Sequence, residues 1–259
     1  MAECRPILGI DRLHAFALSI LLVLVLSSLS LPSRASSQAA PLNPTAWPLS
    51  SVGRVNVITG AGSRSQCTGT LVGPRHVLTA AHCLFNETRQ VWVHPSSVHF
   101  VAGYARSEFK AHSDASAYVK GEHFVVTDPP QPASAAEDWA VIELSAPMSL
   151  KPIRVRSEPL PGTRPAHIVR AGYRGDRAHV LTIQQDCAVK AVSRPAPLLL
   201  HSCGAVHGES GSALLSFDGG EPEIIGILVA GSQEGAAPSI AVPASSFAAA
   251  VDHALRPTP

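Results

Sequence analysis

From Val52 to Val242 the chain is a succession of short apolar runs, each closed off by glycine, proline or polar turn residues. The first seven are Arg54–Ile58, Thr68–Val72, His76–Thr79, Val91–His94, Ser97–Val101, His123–Val126 and Trp139–Leu144. Seven more follow a proline-rich passage: Ala166–Ala171, His179–Ile183, Cys187–Val192, Leu198–His201, Ala213–Phe217, Ile224–Val229 and Ser239–Val242. Runs this short and this rich in β-branched residues suit strands rather than helices. Their regular recurrence predicts an antiparallel sandwich or barrel. Charged residues make up 15% and hydrophobic ones 46% of 259 residues, enough to bury one large core or two fused smaller ones. Helical patterns are few. Ala80–Phe85 fits one or two turns, and Phe247, Val251 and Leu255 recur as one face of a terminal helix that Ser245 or Ser246 could cap.

The N-terminus has a different character. Arg5 and Arg12 precede an apolar run from Ala15 to Leu26, shorter than the ~20 residues that span a bilayer. Small residues follow, with Ser33-Arg34-Ala35 and Ser37-Gln38-Ala39 as candidate cleavage sites. We therefore expect a signal peptide over 1–35 (its cut as late as about 39) and a linker or short pro-segment over 36–51. The mature chain is then secreted or periplasmic, with no stable membrane insertion. Removing Cys4 with the leader leaves Cys67, Cys83, Cys187 and Cys203, an even number in an oxidising compartment. Of the three connectivities, sequence-local pairing gives Cys67–Cys83 and Cys187–Cys203. Each closes a loop worth roughly 3 kcal/mol.

Net charge is only +1, so nothing argues for nucleic acid as a partner. His201, Cys203 and His207 have a metal-like spacing, but Cys203 is better used in a bridge and no fourth ligand is suggested. No cofactor and no metal is expected, and the chain is expected to be a monomer. Asn86-Glu87-Thr88 reads as a surface turn or a glycosylation sequon.

Chemistry concentrates at three places. Gly208-Glu209-Ser210-Gly211-Ser212 encloses a serine between glycines. His82 ends the run Leu78-Thr-Ala-Ala-His beside a cysteine, and Asp138 leads the apolar run Trp139–Leu144. A serine hydroxyl attacks well only if its proton is removed, which neutral imidazole does near pH 7. A buried carboxylate orients that imidazole and stabilises its charged form. Base, acid and nucleophile run in the order His82, Asp138, Ser210. The backbone N–H groups of Gly208 and Ser210 would face the developing oxyanion, each worth ~3–4 kcal/mol.

Three motifs carry a family resemblance. Cys67-Thr-Gly-Thr-Leu-Val-Gly-Pro-Arg-His-Val-Leu-Thr-Ala-Ala-His-Cys83 resembles the histidine loop of trypsin-like (chymotrypsin-fold) serine peptidases. Asp138-Trp-Ala-Val-Ile-Glu-Leu144 resembles their aspartate strand. Leu200-His-Ser-Cys-Gly-Ala-Val-His-Gly-Glu-Ser-Gly-Ser-Ala-Leu214 resembles their serine loop, closest to the bacterial V8-like branch. The resemblance implies an all-β fold of two six-stranded antiparallel barrels with a short C-terminal helix. The first barrel would occupy 52–145 with His82 and Asp138, and the linker 146–161. The second would occupy 162–256 with Ser210 and the helix. It also implies a serine endopeptidase acting on peptide or protein substrates through an acyl-enzyme.

Two departures stand out. The family's usual aspartate or asparagine beside the nucleophile is Glu209 here, and before the barrel stands Ser51-Val-Gly-Arg-Val rather than an Arg-Ile-Val-Gly-Gly activation site. Insertion of a freed N-terminus is therefore not the expected activation route, and modest intrinsic activity is expected. The resemblance places Gly204 at the base of the specificity pocket, Ala205 on its wall, and Val229, Ala230 and Gly231 on the substrate-pairing strand. Leu228 stands where glutamate-specific relatives carry histidine. The pocket thus lacks charge, which implies small or medium apolar P1 side chains. The alternative is a catalytically silent member of the fold serving as a binding or adhesion module.

Overall fold

The computed structural model describes residues 43–60, 62–127, 131–158, 160, 168–231 and 237–256. The expected signal peptide, the early part of the expected linker, and Ala166 and His167 lie outside these.

The first half contributes β1 (Val52–Gly60), β2 (Ser63–Gly73), β3 (His76–Thr79), β4 (Phe85–Asn86), β5 (Val91–Trp92), β6 (Val98–Ala102), β7 (Ala111–Lys120) and β8 (Ala140–Leu144). Six of these close a barrel in the order β1-β2-β3-β8-β7-β6, and β4 pairs β5 as a separate hairpin. Alternation explains the closure. Val55 and Val57 of β1 and Val98 and Phe100 of β6 turn inward with Leu71, Val77, Ile142 and Leu144, while Arg54 and Asn56 stand between them at half-buried positions.

Within the closed barrel, one strand differs from expectation. His123–Val126 forms none; the sixth barrel strand is β7, ten residues of largely small and polar character. Its inward positions are Ser113 and Ala115, too weakly apolar to mark a strand. The backbone of Val125 is instead satisfied by Ser134, whose Oγ accepts from Val125 N at 2.9 Å and donates to Val125 O at 2.5 Å. Ser134 lies on α1 (Pro132–Ala135), a single turn just ahead of Asp138.

The second half contributes β9 (Arg154–Val155), β10 (Ile168–Gly172), β11 (Thr182–Cys187), β12 (Val189–Val192), β13 (Leu199–His201), β14 (Ala213–Ser216), β15 (Glu223–Ala230) and β16 (Ser239–Pro243). The sheet runs β11-β10-β14-β15-β16-β13-β12, with β9 parallel to β15. β11 and β12 stand at opposite edges yet are separated only by Ala188. One bent strand therefore flanks both ends, and the sheet curls on itself. Observed β11 starts three residues later than the expected His179–Ile183 run.

Between the sheets, Val72, Leu78 and Val141 pack with Leu215, Ile227 and Val242 in one buried cluster. The terminal helix α2 (Ala248–Ala254) joins it through Phe247 and Val251. Neither serine caps that helix. The N-cap is Phe247, without a side-chain hydrogen bond, because Ser245 and Ser246 belong to the preceding 3-10 turn. Leu255 is 40% exposed rather than buried, being the C-cap. Among the described residues no helix is long and apolar enough to cross a membrane.

Candidate active site

His82 stands on the 3-10 turn Ala81–Leu84 that follows β3. Its neighbour Cys83 is bonded to Cys67 on β2, which ties the turn covalently to the barrel wall. Asp138, 5% exposed, sits between α1 and β8. It receives His82 twice: ring Nδ1 lies 2.7 Å from Oδ2, and the backbone N donates to Oδ1 at 2.9 Å. A carboxylate only accepts, so Nδ1 carries the hydrogen and Nε2 is left as the basic nitrogen. Burial alone lowers the imidazole pKa. Asp138, through its charge and hydrogen bond, and Glu87 more than offset that, and the pKa stands above its ordinary 6.5.

Ser210 lies on the loop between β13 and β14, half-buried. Its carbonyl accepts from Thr68 N at 2.9 Å and lies 3.9 Å from Cys83 Sγ, so the loop is docked against the disulfide beside His82. The flanking glycines allow this. Gly208 and Gly211 have φ of +91° and +80°, and a Cβ on Gly211 would come within 2.3 Å of Thr68 O and Thr79 Oγ1. Among the described residues no hydrogen bond joins the Ser210 hydroxyl to His82; such contacts often tighten only when substrate arrives. The amides of Gly208 and Ser210 likewise have no protein acceptor among the described residues. His207 O is held by Gly175 N at 2.6 Å. Because C=O and N–H of a trans peptide point opposite ways, the Gly208 N–H faces away from Gly175.

Glu209 is fully buried, and so is Arg170 of β10, whose Nη1 lies 2.6 Å from Glu209 Oε1. This is an ion pair by distance, off the direction of an aligned hydrogen bond. Glu209 Oε2 accepts from Val206 N at 2.9 Å, and Arg170 Nη2 donates to Gly204 O at 2.7 Å. Burying two charges is costly unless each is partnered, and here each is. No sequence motif marks Arg170. The available signal was a lone cation inside the apolar run Ile168-Val-Arg-Ala-Gly.

Val229 and Ala230 line a cavity of about 180 Å³ together with His82, Asp138 and Phe124. Gly204 and Ala205 lie elsewhere, against the buried Arg170 and against Gly231. A Cβ on Gly231 would sit 2.8 Å from Ala205 Cβ, so these two walls touch. Leu228 is buried.

Cys203 is bonded to Cys187, which removes its sulfur from the His201-Cys203-His207 spacing. Among the described residues, His201 has a partner on neither ring nitrogen; burial, then Arg170, lowers its pKa to about 4. Asn86 is buried, with Nδ2 donating to Thr59 O at 2.6 Å, so its amide nitrogen is committed to the turn.

A model of the trypsin family (Trypsin) matches residues 43–251. The chain belongs to the trypsin family. Trypsin-family relatives include human serine protease 23, 31% identical over 170 residues, and rat serine protease 23 at 29%. The matched stretch is 57% of this chain and 42% of those relatives, so the chain spans about two fifths of the length of the curated relatives it matches. Among solved structures, a Glu endopeptidase in complex with MPD superposes with TM-score 0.63 at 20% identity, covering 83% of this chain and 94% of that one. A thermostable serine protease, AL20 from an extremophilic microorganism, gives TM-score 0.63 at 13% identity, covering 79% and 96%. At these identities the likeness is one of fold: the trypsin-like, two-sheet architecture with few helices.

Proposed function

We propose that this trypsin-family protein is a serine endopeptidase in which His82, Asp138 and Ser210 act as base, orienting acid and nucleophile. The observation that carries the reading is Asp138, which holds His82 by both ring and backbone beside the docked Ser210 loop. Nε2 takes the Ser210 proton as the hydroxyl adds to the substrate carbonyl, then returns it to the departing amine. The free amides of Gly208 and Ser210 receive the oxyanion. Water then cleaves the acyl-enzyme by the same base.

In this reading Arg170 provides from within the fold the positive charge that braces Glu209, so activity does not wait on a freed N-terminus. The contact between Ala205 and Gly231 leaves little width for a P1 side chain, which favours small apolar residues at the small end of the expected range. Gly204, Ala205, Val229, Ala230 and Gly231 form the substrate-binding walls, and the substrate is a peptide or protein taken by a monomer. The two disulfides fit a secreted or periplasmic protein released from its 1–35 signal peptide.

A fluorophosphonate tests the chemistry. The folded chain should be labelled at Ser210, and Ser210→Ala should abolish the signal. Folded protein that takes no label would favour the silent binding module instead. A peptide library in which Arg, Lys or Glu is preferred at P1 would overturn the pocket assignment.

A further inference from the structure

A second group of titratable side chains stands on the outer face of the closed barrel. His99 on β6 lies directly across from Asp114 on β7, and Val101 across from His112. Residues two apart on a strand share a face, so His112 and Asp114 lie side by side. All three converge on one point. His99 Nδ1 is 2.7 Å from Asp114 Oδ1, and His112 Nε2 is 3.6 Å from the same oxygen. The imidazole rings stack, with centroids 5.6 Å apart and planes 9° from parallel. One nitrogen or oxygen from each residue lies within 4.8 Å of the other two.

Folding does not demand this focus. The side chains are 29%, 42% and 51% exposed, on a face where almost any polar residue would serve. The adjoining hollow of about 640 Å³ shares no lining residue with the cavity beside His82. Arg54 and Arg64 line that hollow with His99 and His112.

We propose that His99, His112 and Asp114 bind a divalent transition metal of the zinc class, clipping β6 to β7. Zinc takes imidazole nitrogen and carboxylate oxygen at about 2.0–2.2 Å, which places tetrahedral donors roughly 3.3 Å apart. The two imidazole nitrogens stand 2.7 and 3.6 Å from Asp114 Oδ1, on either side of that value, and all three donors lie within 4.8 Å of one another. Two imidazoles select zinc, copper or nickel over calcium and magnesium, which prefer oxygen donors. Three protein donors leave a fourth position open to solvent. Arg54 and Arg64 oppose a bare cation. Asp114 offsets part of that charge, and an anion such as chloride in the fourth position, attracted by the same arginines, offsets more.

The test is calorimetric titration of zinc into the purified, chelator-stripped full chain. The cleft holds another imidazole–carboxylate pair, so His82→Ala is titrated alongside His99→Ala/His112→Ala, with circular dichroism confirming that each is folded. The expected result is one zinc per chain in wild type and in His82→Ala, with binding lost in the double variant and no heat from calcium. Zinc should also raise the melting temperature of wild type but not of the double variant. The proposal is overturned if wild type takes up no zinc at micromolar concentrations. Equal binding by the folded double variant, or loss of binding on His82→Ala, overturns it equally.

Discussion

Replacing Asp138 with asparagine changes both the charge and the donor pattern that His82 meets. Burial lowers the imidazole pKa, but Asp138, by charge and hydrogen bond, together with Glu87 raises it above its ordinary value. In the proposed mechanism His82 must be neutral to act as base, so wild-type kcat/KM should fall with acid through a midpoint above 6.5. In Asp138→Asn the offsetting charge is gone and burial remains, so the midpoint should move to lower pH. The rate at the plateau should fall by about 10⁴-fold, because the asparagine amide can hold the wrong tautomer. A pH–rate profile of both proteins checks this; an unmoved acid limb would separate Asp138 from the base. Arg170 makes a different case. Arg170→Met leaves Glu209 buried without its cation, for a loss of about 3–5 kcal/mol and slow fluorophosphonate labelling. Adding Glu209→Gln removes the stranded charge, so Arg170→Met/Glu209→Gln should recover most of the stability in chemical denaturation.

The elements meet at Thr68 of β2. Its N–H donates to Ser210 O at 2.9 Å, its hydroxyl donates to Gly208 O at 3.1 Å, and that hydroxyl accepts from Tyr173 N at 2.9 Å. One threonine thus fastens the serine loop and the end of β10 to the first barrel. Thr68→Val keeps the shape and strands two buried backbone groups, which should cost about 2–5 kcal/mol in denaturation and slow acylation. Unchanged stability would mean that water replaces the hydroxyl. Such cross-links were not legible in the sequence, since they join residues more than a hundred positions apart. What was legible is what local pattern carries. Most apolar runs became strands, and His82 and Asp138, each marked by its own motif, do meet. β7 was missed because its inward face is Ser113 and Ala115, and Arg170 because a buried cation has no local signature until its partner is known.

For the molecule as a whole, acid should act twice, and the two effects can be separated. On the proposed mechanism, loss of the neutral His82 should remove activity first, at pH values around and above 6.5. His201 governs the second stage. Fully buried on β13, it has a native pKa of about 4, against an ordinary 6.5 in the unfolded chain. Between these values the unfolded chain binds a proton that the native protein excludes, so stability falls as pH drops from 6.5 to 4 and levels off below. The loss from this one group is about 3 kcal/mol. Protonation would place a second cation near Arg170, whose charge already disfavours it, and so load the same buried cluster that braces Glu209. His201→Leu removes the titration while keeping an apolar side chain of similar bulk. Its melting temperature at neutral pH can shift either way, but the difference between pH 7 and pH 4 should shrink relative to wild type. The acid limb of its pH–rate profile, set by His82, should stay where it was. Equal acid sensitivity in both proteins would assign the second stage to other groups.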